Sequence, residues 1–180
     1  MRSDVPEIEA IEIRPALPSD ADEIALAHRD SIRSIGPSFY PPDVVDAWEE
    51  GLTGDVYRKA MDGGETFFIA TGRVDGRAMV LGFASDYRIE GSTHGASAYV
   101  RGLAARRGIG SSLLQLAEQR AIATGATSVH VDASLAGVEF YRANGFAETG
   151  RGEICLRSGR PIACVFMRKD LRAAAIPAPR

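Results

Sequence analysis

Apolar and polar residues alternate near the start of the chain. Ile11 and Ile13 are interleaved with Glu12 and Arg14, the period-two pattern of a half-buried strand over residues 11–14. The stretch from Pro15 to Ser19 turns the chain. Ser19 or Asp20 is placed to cap a helix whose first turn carries Asp22 and Glu23, where acids meet the positive helix end. Ile24, Ala27, Ser31 and Ile35 fall at helical spacing, and Gly36-Pro37 stops the run. Pro41-Pro42 opens a second short helix over residues 43–50, which contains Trp48. A third covers residues 55–61 and stops at Gly63-Gly64.

The centre of the chain turns to strands. Residues 66–71 (TFFIAT) and 79–85 are β-rich, and Asp75-Gly76 between them is a hairpin turn. The polar residues 88–95 predict a loop, followed by a strand over 97–101. After Gly108-Ile109-Gly110, the spacing of Ile109, Leu113, Leu116 or Ala117, and Arg120 predicts a helix closed by Gly125. A short strand (128–131), a helix (135–143, closed by Asn144-Gly145) and a hairpin (146–157 with 162–168) complete the order β-ααα-βββ-α-β-α-ββ. This is a mixed α/β (α+β) domain with a largely antiparallel sheet.

Composition narrows the function. The chain has 180 residues, with 45% hydrophobic and 25% charged, which suits one globular domain. Its cations are 19 Arg and two Lys, Lys59 and Lys169, within a net charge of −3. That balance argues against a nucleic-acid binder and a polybasic membrane-surface protein. The charge is uneven: residues 1–60 balance to −7 and the remainder to +4. Residues 1–10 are acidic without an apolar core, unlike a signal peptide, and no run reaches a membrane span. Two cysteines, Cys155 and Cys164, are too few for a disulfide scaffold, so a cytoplasmic location is expected. They sit symmetrically about Gly159-Arg160 and would face each other across a two-residue turn, as buried thiols. With no histidine nearby they cannot complete a metal site.

Two local patterns carry chemistry. The first is Ala105-Arg106-Arg107-Gly108-Ile109-Gly110-Ser111-Ser112, between a strand and a helix. Glycines there let backbone N–H groups converge, the helix start adds positive potential, and two arginines add charge, all suited to a phosphate. A plain strand-to-helix turn is the alternative. A Walker-type loop is excluded because no lysine is near. A dinucleotide fingerprint is excluded because Leu113 stands where its third glycine belongs. The second pattern is Phe140-Tyr141-Arg142-Ala143-Asn144-Gly145-Phe146. Phe140 and Phe146 suit the core, while Tyr141 points to another helix face.

In this order, the two patterns resemble the GNAT superfamily of N-acetyltransferases. Tyr99-Val100-Arg101 followed by Arg106-Arg107-Gly108-Ile109-Gly110 matches the family's strand and glycine turn. Phe140-Tyr141 with Gly145-Phe146 matches its FYxxxGF ending. The opening IEIRPALPSDADEI is similar to the family's first strand and helix. HRDSIRSIGPSFYPPDVVDAW and GRPIACVFMRKDL resemble a bacterial subgroup. The resemblance implies a GNAT domain over residues 11–170, with an N-terminal arm (1–10) and a disordered tail (171–180). Its sheet would be central, mixed, mostly antiparallel and twisted, with helices flanking it. Two departures stand out: Ala105 occupies the usual Gln/Arg slot and Ala136 the usual Asn slot.

The resemblance also implies the chemistry. Acetyl-CoA would be the co-substrate, and an amine of a small molecule or peptide the acceptor, attacking directly in a ternary complex. Backbone around Val100 would pair with the pantetheine arm, flanked by Tyr99 and Arg101. Arg106, Arg107, Gly108, Ile109, Gly110, Ser111 and Ser112 would hold the pyrophosphate. Tyr141 would be the general acid. The candidates for base are Asp86, Glu90, His94 and Asp132, with Asp132 equally suited to cap the following helix. Ser31, Tyr40 and Trp48 are candidate walls of the acceptor pocket, or ordinary core. A homodimer is common in the family, and no metal is implied. A catalytically silent CoA-binding module on the same fold is the alternative function.

Overall fold

The computed structural model describes residues 6–171. The tail expected to be disordered lies outside the described residues, apart from Leu171. Seven strands and five α-helices follow the expected order. They are β1 (Ile8–Pro15), α1 (Ala21–Ile35), α2 (Pro42–Glu49), α3 (Gly54–Asp62), β2 (Thr66–Val74), β3 (Arg77–Glu90), β4 (Thr93–Val100), α4 (Ile109–Ala123), β5 (Ser128–Ser134), α5 (Val138–Ala143), β6 (Ala147–Cys155) and β7 (Pro161–Asp170). The sheet order is β1-β2-β3-β4-β5-β7-β6. Only β4 and β5 run parallel, and they pair over Thr93↔Ser128, His94↔Val129 and Gly95↔His130 alone. Past Gly95 the two strands part, so the centre of the sheet opens into a cleft.

Alternation along the central strands builds two cores. Phe67, Ile69 and Phe83 face α1 and α3. Ala70, Leu81 and Ala84 face α4, against Ile109, Leu113 and Ala117. Val129, Val131 and Ala133 of β5 continue the α4 side and pack against Tyr141 and Phe146. On the other side, Ile154, Leu156 and Ile162 of the last hairpin pack against Ile32, Tyr40 and Val45. Among the described residues, no helix is long and apolar enough to cross a membrane.

Asp75 and Gly76 take φ of 48° and 79° between Val74 and Arg77, the left-handed pair that a tight hairpin turn needs. Four expectations are corrected. Residues 88–95 do not form a loop: β3 and β4 continue through Arg88↔His94 to a hairpin held by ladder bonds, with residues 88–92 exposed and His94 buried. β1 begins at Ile8, inside the expected arm. The Asp20 carboxylate does not cap α1, because Arg14 and the Leu17 N–H occupy it. The last hairpin turns about Ser158, since Cys155 pairs with Pro161 and Cys164 with Gly152. The two cysteines therefore do not face each other, and Cys155 is exposed while Cys164 is buried.

Candidate active site

The cleft between β4 and β5 is filled at one point by a single side chain. Tyr141 projects from α5 and is buried against β5. Its hydroxyl accepts a hydrogen bond from the Ala98 N–H of β4 at 3.1 Å. That N–H is free for it because β4 has no strand partner on its β5 side past Gly95. Burial, with Tyr99 nearby, pushes the Tyr141 hydroxyl above its usual range, and the Ala98 N–H opposes the shift by favouring the phenolate.

Next along β4, the Arg101 N–H donates to the Leu81 carbonyl on the β3 side. N–H groups alternate sides along a strand, so the Val100 N–H faces the open cleft, as Ala98 does. A bound chain could add there as a short strand.

The glycine turn follows. Arg106 (φ 64°) and Gly108 (φ 77°) both take left-handed backbone, which curls the loop into the first turn of α4. Among the described residues, none of the N–H groups of residues 106–111 finds an acceptor; the first to do so is Ser112, bonded to the Gly108 carbonyl at 3.1 Å. Such a concave row of free donors at a helix start fits a pyrophosphate. Gly110 lets the start of α4 pack closely on α5 and β4, since a Cβ there would lie 3.0 Å from Phe140 and 3.4 Å from Val100. Arg106 and Arg107 are exposed and have no ion-pair partner among the described residues. Ser111 and Ser112 line a hollow of about 300 Å³ with Gln115, Asn144 and the Glu118–Lys169 pair.

Arg101 does not join this group. Its Nε donates to the Val80 carbonyl at 2.6 Å, and its guanidinium turns to Glu23 and Asp30 of α1. Arg101 is thus separated from Arg106 and Arg107, because the chain leaves β4 at Val100 and turns through residues 102–104 before the glycine turn.

On the α1 face of the cleft lie Tyr99, Tyr87, Ser97 and Ser85. Tyr99 packs on His28 (ring centroids 3.7 Å apart) and Phe83 (5.5 Å). Tyr87 folds over Gly95, whose hydrogen atom leaves room for the ring. Tyr87 is 37% exposed, yet burial still raises its hydroxyl pKa, with Glu65 and Asp132 adding to the shift.

The expected pocket residues separate. Trp48 is half-buried and stands edge-on to Tyr40 (5.6 Å) and Tyr99 (6.5 Å). The Tyr40 hydroxyl is fully used: it donates to the Ala163 carbonyl and accepts from the Leu135 N–H, both at 2.7 Å. It joins the start of α2 to β7 and is core. Ser31 is buried within α1.

The base candidates also separate. His94 is not in a polar loop: it is buried under α4, on the face away from Tyr99, with Nδ1 2.6 Å from Asp86. Glu90 is exposed at the far end of β3. Asp132 does not cap α5, whose N-cap is Gly137; it lies within β5, exposed and 3.1 Å from His130.

Three groups at this face escaped the sequence reading: His28, Tyr57 and Glu65. His28 Nδ1 lies 2.7 Å from the Tyr57 hydroxyl. Burial, helped by the charge of Arg157, depresses its pKa to about 3, so it is neutral. Glu65 follows Gly64 just before β2, and burial raises its carboxyl above the ordinary range.

The acidic balance of residues 1–60 does not converge here. Asp20 pairs with Arg14, Asp22 and Asp55 with Arg58, Glu49 with Arg33, and Asp43 with Arg160. A hollow of about 500 Å³, lined by Asp43, Asp46, Glu49 and Glu50 among others, lies at α2, and Tyr141 is not among its lining residues.

A sheet opened between its parallel strands, with a tyrosine in the opening and a free-donor turn beside it, is the architecture of an acetyltransferase. A GNAT acetyltransferase domain model matches residues 38–171, and the chain belongs to that family. Among solved structures it is similar to a GCN5-related N-acetyltransferase from Rhodopseudomonas palustris. The two share 28% identity and a TM-score of 0.75, over 92% of this chain and 98% of that one. It also shares the fold of PaiA N-acetyltransferase from Thermoplasma acidophilum, in complex with coenzyme A (19% identity, TM-score 0.68, 90% and 99% covered). YncA from Salmonella typhimurium, with its cofactor acetyl-CoA, aligns at 19% identity and TM-score 0.67, with 94% and 98% covered. No curated protein matches the chain.

Proposed function

We propose that this chain transfers an acetyl group from acetyl-CoA to a primary amine of a small molecule or peptide, by direct attack within a ternary complex. The observation that carries the reading is the Ala98 N–H to Tyr141 contact inside the β4–β5 opening. It fixes a proton-bearing hydroxyl between the free donors of residues 106–111 and the aromatic α1 face. The CoA- and acetyl-CoA-bound relatives of this fold support the choice of co-substrate.

Acetyl-CoA supplies the activated acyl group as a thioester. The donors of Arg106, Arg107, Gly108, Ile109, Gly110 and Ser111 hold its pyrophosphate, with Ser112 closing the turn. The guanidinium groups of Arg106 and Arg107 add charge to that grip. Open N–H and carbonyl groups at Val100 hold the pantetheine arm. Arg101 positions β4 through α1, and Tyr99 walls the acceptor side. Tyr141 returns a proton to the departing sulfur. Its raised pKa makes it a weaker acid than a free tyrosine, and the Ala98 N–H recovers part of that loss by stabilising the phenolate.

The acceptor enters over Trp48, Tyr99 and Tyr87, with Asp132 adding negative charge to that wall. The test is release of free thiol from acetyl-CoA in the presence of a panel of polyamines, amino acids, aminoglycosides and short peptides. Amine-dependent release is expected. Stabilisation by acetyl-CoA with no release on any amine would favour the silent CoA-binding module.

A further inference from the structure

We propose that Ser97, Ser85 and Glu65 form a proton relay that removes the proton of the attacking amine, with Ser97 touching the amine and Glu65 as the final acceptor. This deepens the acetyl-transfer reading and rests on it.

The sheet register places the three groups in a row. Phe67 of β2 pairs with Ser85 of β3, and Ser85 pairs with Ser97 of β4. All three face α1, as Phe83 and Tyr99 do on the same strands. Thr66 pairs with Asp86, so Glu65, one residue earlier, lies beside the start of that row. The Ser85 and Ser97 hydroxyl oxygens are 2.8 Å apart, and Ser85 is completely buried. The Ser85 hydroxyl lies near the Glu65 carboxylate and favours its charged form.

A hydroxyl has one proton to donate. In the relay Ser85 gives its proton to Glu65 and accepts from Ser97; either hydroxyl of that pair can be the donor. The Ser97 oxygen then keeps lone pairs for a third partner. Ser97 is partly exposed and adjoins Ala98, whose N–H holds Tyr141. The open end of the row therefore reaches the same part of the cleft as Tyr141, from the acceptor side.

Other bases are placed worse. Asp86 and His94 are spent on each other on the opposite face. Glu90 is remote and exposed, and Asp132 is paired with His130. The titratable and charged groups that bear on Glu65 are Tyr87 from β3, Arg157 from the β6–β7 turn, Tyr57 from α3 and, through the sheet, Asp86. Burial and Asp86 favour the neutral acid, while Ser85 and Arg157 favour the carboxylate. The net effect is a carboxylate more basic than an ordinary glutamate.

The step balances. The amine nitrogen forms the new C–N bond as the thioester C–S bond breaks. The amine proton passes to Ser97, the Ser97 proton to Ser85, and the Ser85 proton to Glu65. The sulfur takes the Tyr141 proton, and solvent then restores both Glu65 and Tyr141.

The test uses the full chain, acetyl-CoA and the amine from the panel that turns over fastest. Glu65→Gln and Ser97→Ala should each lower kcat at pH 7 by about 100-fold, the low end for losing a general base. Acetyl-CoA affinity, read by calorimetry, should stay within about twofold, well under the tenfold that 1.4 kcal/mol would give. The double variant should fall little below the worse single one, because the two act as one unit. Glu65→Asp should recover part of the rate, and raising the pH to about 9.5 should recover Glu65→Gln as more of the amine becomes neutral. Carbon NMR of labelled glutamate should show Ser85→Ala raising the Glu65 midpoint further, since the bond to the charged form is lost. Wild-type rate and pH profile in Glu65→Gln, losses that multiply in the double variant, or an unmoved Glu65 midpoint in Ser85→Ala would overturn the relay alone. No turnover by the wild-type protein would overturn the acetyl-transfer reading and the relay with it.

Discussion

Tyr141 and Ala98 stand 43 residues apart in sequence, yet the Ala98 N–H donates to the Tyr141 hydroxyl at 3.1 Å. The bond exists because β4 loses its parallel partner after Gly95. An orphan strand N–H and a phenol inserted from α5 satisfy each other within an otherwise apolar core.

The first prediction concerns pH. Burial raises the Tyr141 pKa, so the hydroxyl stays protonated throughout the working range. The rate should therefore show no decline from tyrosine ionisation below about pH 10, the ordinary tyrosine value. A pH–kcat profile checks this; a decline centred near pH 8 to 9 that is absent in Tyr141→Phe would refute it.

The arginines should divide by position. Arg101 is held by Val80, Glu23 and Asp30. Arg101→Met should destabilise the fold by about 1–3 kcal/mol, through loss of a charge-assisted bond and a buried carbonyl left without its donor. It should leave acetyl-CoA affinity nearly unchanged. The Arg106→Ala, Arg107→Ala pair should do the reverse, weakening acetyl-CoA by about tenfold at low salt and less at high salt, since exposed charges are screened. Thermal melts and calorimetry at two salt concentrations separate the cases.

Gly108 sits at φ 77° with open space where a Cβ would go. Gly108→Ala meets no clash, so its cost is the left-handed backbone alone, about 1–2 kcal/mol. The melting temperature should fall by a few degrees. Acetyl-CoA binding should weaken as well, because relaxing that torsion turns the free N–H groups apart.

Acid should unfold the protein early. His28 is neutral in the fold, with a pKa near 3 against an ordinary 6.5. The unfolded chain therefore binds the extra proton between those values. The stability due to neutral His28 is complete above about pH 6.5 and is lost as pH falls toward 3, by up to about 1.4 kcal/mol per unit. Denaturant titrations of the wild type and His28→Phe should show a flatter acid side in the variant.

Local patterns made much of the architecture legible. The Asp75-Gly76 turn, the helix after Gly110 and the Phe140-to-Phe146 segment each depend on neighbours in sequence, so period and turn chemistry sufficed. The extension of β3 and β4 through residues 88–95 did not show, because ladder bonds hold a hairpin whose tip, residues 88–92, stays exposed. Arg101 beside Asp30, Tyr40 beside Ala163 and His94 under α4 depend on which side of a strand each residue faces and on what packs there. Glu65 follows a Gly-Gly turn and reads as an exposed loop acid until the register sets it beside Ser85. The cysteine pairing failed because the turn between β6 and β7 holds more residues than the two assumed.

The most direct measurement is the steady-state rate of Tyr141→Phe beside its affinity for acetyl-CoA. Removing only the hydroxyl should lower kcat by about 10²-fold or more, the scale for a general acid. Acetyl-CoA affinity should stay within about twofold, well under a tenfold step. A variant that turns over as fast as the wild type at both pH 7 and pH 9, while binding acetyl-CoA normally, would contradict the assignment of Tyr141 as the proton donor.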